Sequence, residues 1–133
     1  MSVPEPHFCH IAIVDDDAAV CVGLSSLLRS YGYAAQAFES APALLAAGAA
    51  ALDRFHCVIT DLQMPGMSGI ELLEELRRRG NPLPLILMTA FPEAALRKRA
   101  LQGGAACFLS KPFDAHQLLA CLRSAAASLP PSD

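Results

Sequence analysis

Residues 57–69 read Cys-Val-Ile-Thr-Asp-Leu-Gln-Met-Pro-Gly-Met-Ser-Gly, and this stretch decides the fold. The run from His56 to Thr60 is continuously apolar rather than alternating, which suits a strand covered on both faces. A carboxylate, Asp61, follows it at once. Pro65-Gly66 then turns the chain, and Ser68 is placed to cap a helix, with Glu71 three residues on at the capping-box position. Arg77, Arg78 and Arg79 stand before Gly80, the end of a helix dipole that favours cations. The unit is strand, loop, helix, with an acid at the strand's carboxyl end.

The same unit recurs on either side. Apolar runs occupy Cys9–Val14, Ala34–Phe38, His56–Thr60, Pro84–Met88 and Ala105–Leu109. Val20, Leu24, Leu27, Leu28 and Tyr31 recur at helical spacing, with Gly32 as a stop. Ser40 caps a second helix with Pro42 in its first turn. Pro92 opens a fourth that ends at Gly103-Gly104. Asp114 caps a fifth, with Gln117 at the box position. Five strands alternating with five helices predict an α/β architecture, a doubly wound parallel sheet with right-handed crossovers. In such sheets ligands bind beyond the carboxyl ends of the strands.

Composition sets the outer bounds. A chain of 133 residues, 53% hydrophobic and 17% charged, has ample material for one core. Its net charge of −3 argues against the broad cationic face that nucleic-acid binding needs. No apolar stretch is long enough to span a bilayer, and the start Met-Ser-Val-Pro-Glu-Pro lacks the features of a signal peptide. Cys9, Cys21, Cys57, Cys107 and Cys121 contain no CxxC pair and read as reduced core thiols of a cytoplasmic protein. The expected organisation is a lead-in at 1–8, one domain at 9–128, and a tail or linker start at 129–133.

The strand ends carry the chemistry. Asp15-Asp16-Asp17 follow the first strand, Asp61 the third, Thr89 closes the fourth, and Ser110-Lys111-Pro112 follow the fifth. A single Asp after a strand usually caps a helix, and Asp17 is read that way. Two adjacent acids plus a third from another strand exceed what capping uses. Two carboxylates about 4 Å apart repel by roughly 4 kcal/mol at an effective dielectric near 20, so three together take up protons or recruit a cation. Oxygen-only donors suit a hard divalent ion, Mg²⁺ first, with Mn²⁺ or Ca²⁺ as substitutes. A metal, the Lys111 ammonium and the Thr89 hydroxyl around one carboxylate form a site for an incoming phosphoryl group, with Asp61 as the nucleophile.

At this point the chain resembles a known family. IVDDD (13–17), ITDLQMPGMSG (59–69), LMTAF (87–91) and FLSKPF (108–113) resemble the receiver domain of two-component response regulators, in the branch that often carries a helix-turn-helix output domain. Thr89 and Lys111 lie 28 and 50 residues beyond Asp61, spacings typical of that branch. The resemblance implies a flavodoxin-like (βα)5 fold with strand order 2-1-3-4-5. It implies Asp61 as phosphoacceptor, Asp15 and Asp16 as the metal-binding pair, and Gln63 lending its backbone carbonyl to the metal. Thr89 is implied to hydrogen-bond the phosphoryl group, Lys111 to pair with it, and Phe108 to change rotamer as Thr89 shifts. The Lys111-Pro112 bond is implied to be cis. The implied partners are a sensor histidine kinase or phosphotransfer protein, and a second copy through the face made by the fourth helix, last strand and fifth helix. Direct nucleic-acid or membrane binding by this chain is not implied. The family's members are switches that catalyse only their own phosphorylation and dephosphorylation.

Two departures stand out. Phe108 replaces the commoner Tyr, and Phe91 is bulky enough to screen a phosphoryl group from water, which implies slow dephosphorylation. An aspartyl-phosphate phosphatase of the haloacid-dehalogenase type is the alternative, but it places a second Asp two residues after the nucleophile, where this chain has Gln63. A free-standing receiver and the receiver portion of a longer regulator remain equally open readings.

Overall fold

A computed structural model of the chain describes residues 10–127. Five strands, β1 (His10–Val14), β2 (Ala34–Phe38), β3 (Cys57–Asp61), β4 (Leu85–Thr89) and β5 (Cys107–Ser110), form one sheet. Six helices accompany them: α1 (Ala18–Ser30), α2 (Ala41–Ala46), α3 (Ala49–Leu52), α4 (Gly69–Arg78), α5 (Ala94–Gln102) and α6 (Ala115–Ala127). Every strand pair is parallel and the order is β2-β1-β3-β4-β5. The chain therefore leaves β1 toward one edge, returns past it to β3, and then proceeds to the other edge. Strands β1 and β3 flank the switch point where such sheets open a crevice.

Alternation along β1 shows how both faces are filled. Ile11 and Ile13 pack with Leu24 and Leu28 of α1 and Leu118 and Leu122 of α6. Ala12 and Val14 pack on the other side with Leu44 of α2, Leu73 and Leu76 of α4 and Ala100 of α5. Strands β3 and β4 are buried along their whole length, as their unbroken apolar runs require. Edge strand β2 is partly in solvent and more polar.

The helix starts follow the sequence chemistry. Ser68 accepts from the Glu71 N–H while Glu71 accepts from the Ser68 N–H. Asp114 and Gln117 form the same reciprocal pair at α6. At α1 the Asp17 side chain accepts from the N–H groups of Ala19 and Val20.

Several expectations need correction. The third and fifth strands end one residue beyond their apolar runs, at Asp61 and Ser110, while the fourth closes at Thr89 as expected; Leu62 N–H donates to Met88 and Lys111 N–H to Thr89, extending the ladders to these ends. The second helix is broken at Gly48, whose φ of +91° suits glycine, and restarts as α3 to bury Leu52. The helix after Pro92 starts at Ala94, with Glu93 at its cap position. The five cysteines are not all reduced: Cys107 of β5 and Cys121 of α6, with Cα atoms 5.7 Å apart, form a disulfide. Adjacent elements at that distance place the two thiols within bonding reach. Cys21 and Cys57 are free and buried, as expected. The expected lead-in at 1–8 and tail at 129–133 lie outside the described residues, as do residues 9 and 128 at the ends of the expected domain. Among the described residues no helix is long and apolar enough to cross a membrane.

Candidate functional site

Four strand ends deliver side chains to the carboxyl rim of the sheet. Asp15 follows β1 directly, and its N–H donates to the carbonyl of Phe38 on β2, fixing the turn. One of its oxygens, Oδ1, accepts from the Asp17 N–H at 2.8 Å. The other, Oδ2, is buried with no hydrogen-bond partner. Asp16 beside it is exposed, and Asp61, the last residue of β3, is 9% exposed. Asp15, Asp16 and Asp61 each offer an oxygen, and the three lie within 4.8 Å of one another.

Lys111 answers this negative charge. Its Nζ stands 3.6 Å from Asp15 Oδ2 and 3.6 Å from Asp61 Oδ1. The Lys111-Pro112 peptide bond is cis. Burial pushes the Asp61 carboxyl above the usual carboxylate range, opposed by the Lys111 charge, reinforced by Asp15 and opposed again by the Gln63 N–H. One ammonium against three crowded acids leaves negative charge uncompensated. Hard oxygen donors from three carboxylates, one carrying a buried orphan oxygen, fit a divalent cation.

Thr89 closes β4 and is fully buried. Its Oγ1 donates to Gln63 Oε1 at 2.8 Å and accepts from the Phe91 N–H at 3.0 Å. Phe108, opposite Leu87 in the ladder, is half-buried against the core on the α2–α5 side. Thus Asp15, Asp16, Asp61 and Lys111 converge, with Thr89 linked to them through the loop that carries Gln63. Phe91, expected to screen a phosphoryl group from water, is 70% exposed. His116 of α6 and Arg97, Lys98 and Arg99 of α5 are exposed, and Arg99 pairs with Glu74 of α4 at 2.9 Å.

Two contributors escaped the sequence reading. The Gln63 side chain, expected to matter only through its backbone, holds the Thr89 hydroxyl. Gly69 opens α4 so close beneath the site that a Cβ there would stand 2.5 Å from the Asp61 carbonyl oxygen and 2.6 Å from Leu87 Cδ2. A residue of minimal size directly after the capping Ser68 was the available signal.

The chain is similar to known proteins in sequence and in fold. The family model described as the response regulator receiver domain matches residues 11–123. The transcriptional regulatory protein FixJ of Azorhizobium caulinodans is 44% identical over 119 residues, covering 90% of this chain and 56% of that protein. The response regulator protein TodT of Pseudomonas putida is 36% identical over 115 residues, 86% of this chain and 50% of that protein. The chain thus spans about half the length of these curated relatives. Among solved structures, the crystal structure of FixJ-N superposes with a TM-score of 0.83 at 33% identity, covering 93% of this chain and 98% of that one. The haloacid-dehalogenase alternative finds no support in these likenesses, and the residue two after Asp61 binds Thr89 through a neutral amide.

Proposed function

The chain belongs to the response regulator receiver domain family, a regulatory switch of two-component signal transduction, and from that premise we propose that Asp61 is its phosphoacceptor. The observation that carries this is the convergence of Asp15, Asp16 and Lys111 on the one carboxylate that ends β3. The donor is the phosphohistidine of a sensor kinase or phosphotransfer protein. An Asp61 carboxylate oxygen attacks phosphorus, the P–O bond forms, and the P–N bond breaks with its electron pair returning to the imidazole. Asp15, Asp16, Asp61 and the Gln63 carbonyl would hold Mg²⁺, which when bound supplies charge neutralisation at the phosphoryl oxygens.

The remaining work falls to the chain's own groups. Lys111, already between two carboxylates, moves its charge onto the incoming phosphoryl oxygens. Thr89 donates its hydroxyl proton to one of those oxygens and draws the loop after β4 inward. Phe108, one strand away, follows into the space vacated. The rearranged surface of α5, β5 and α6 then changes its affinity for a partner, a second copy or an output domain. The likeness to FixJ and TodT, both longer than this chain, supports an output-domain setting. The protein acts where its kinase's catalytic domain does, in the cytoplasm.

The test is phosphorylation by acetyl phosphate in Mg²⁺. The native chain is expected to take up a hydroxylamine-sensitive acyl phosphate, and Asp61→Asn to take up none while keeping its circular dichroism spectrum. Equal labelling of Asp61→Asn would sink the assignment.

A further inference from the structure

We propose that the Gln63 side chain is a latch on Thr89, holding the hydroxyl in its resting orientation and so setting how readily the domain responds to a phosphoryl group. This rests on the reading of Thr89 as the residue that contacts that group. A threonine hydroxyl has a single proton to donate. Here it goes to Gln63 Oε1 at 2.8 Å, and the N–H of Phe91 occupies a lone pair of the same oxygen at 3.0 Å. With Thr89 fully buried, the proton has been committed before any phosphoryl group arrives. Thr89 therefore reaches Asp61's phosphoryl oxygen only by giving Gln63 up.

The placement makes the competition direct. Gln63 sits two residues after Asp61, on the loop that leaves β3, and its own N–H favours the charged Asp61 carboxylate. One residue thus steadies the nucleophile through its backbone and restrains the switch through its side chain. Because Gln63 is exposed, its freed amide is satisfied by water, and replacing it leaves the core untouched. Gln63 is a positioning residue that biases a two-state equilibrium toward rest.

The experiment measures the affinity of the full chain for beryllofluoride, a phosphoryl mimic, in Mg²⁺ by ¹⁹F NMR. Four proteins are compared: native, Gln63→Leu, Thr89→Val and the double variant. Gln63→Leu is expected to tighten binding by about 2- to 12-fold, the span set by the net worth of one hydrogen bond. Thr89→Val is expected to weaken it, and in that background Gln63→Leu to change nothing, since the latch then has nothing to hold. Unchanged or weaker binding by Gln63→Leu, or the same tightening without Thr89, overturns the latch. Undiminished affinity in Thr89→Val overturns the reading of Thr89 itself.

Discussion

Lys111 reaches across from the loop after β5 to stand 3.6 Å from Asp61, and it is equally far from the orphaned oxygen of Asp15. One ammonium is shared between two carboxylates and donates fully to neither. It is therefore poised to shift toward a third acceptor without leaving a well-made bond behind.

Replacing that ammonium removes the shift while keeping the stem. Lys111→Met is expected to weaken beryllofluoride binding by about 10- to 100-fold, the range for a hydrogen bond to a charged group. Slow phosphorylation of Asp61 by acetyl phosphate is expected to persist. Titration calorimetry and label uptake read the two effects separately.

The raised Asp61 carboxyl makes stability depend on pH in a definite direction. A folded-state pKa above the unfolded value means the folded chain holds the proton more tightly. The resulting penalty is absent below the ordinary carboxylate range and complete above the folded pKa. In metal-free buffer Asp61→Asn is expected to melt a few degrees higher than the native chain at neutral pH, with the gain vanishing near about pH 3, where both forms are uncharged. Added Mg²⁺ is expected to raise the melting temperature of the native chain more than that of the variant. Calorimetry across pH, with and without the ion, checks both signs.

Gly69 leaves no room for a methyl group against the Asp61 carbonyl. Gly69→Ala is expected to cost about 1–3 kcal/mol through overpacking, outweighing the ~1 kcal/mol that alanine gains in a helix. The backbone that carries Asp61 must give way, so phosphorylation at the proposed acceptor is expected to slow as well. Urea denaturation and acetyl phosphate kinetics measure the pair of effects.

The disulfide between Cys107 and Cys121 encloses a short loop that includes Lys111. The denatured chain is expected to titrate two thiols fewer before reduction than after. Cys121→Ser is expected to lose about 3 kcal/mol, the loop-closure value for a ring of this size.

Much of the fold was legible because local chemistry and global pattern agreed. Ser68 with Glu71, Asp114 with Gln117, and Asp17 each announced a helix start that the structure realises. The unbroken apolar runs fixed a parallel sheet, and the acids at their ends fixed the rim. What stayed hidden depended on neighbours distant in sequence. The Cys107–Cys121 bond follows from β5 docking against α6, which no spacing rule reveals. The break at Gly48 follows from Leu52 seeking the core. Arg77 stands in the last turn of α4 as read, and from there it also ties the carbonyls of Asn81, Leu83 and Gly104 together. The grip of Gln63 on Thr89 is a matter of rotamers between two loops, and a sequence does not record rotamers.

Because β1 and β3 are neighbours only after the chain has doubled back, and Lys111 lies 96 residues beyond Asp15, no nascent fragment that stops short of β5 can assemble the whole cluster. On the reading of Asp61 as acceptor, efficient uptake of phosphate is expected only once synthesis has passed the last strand and the sheet has closed.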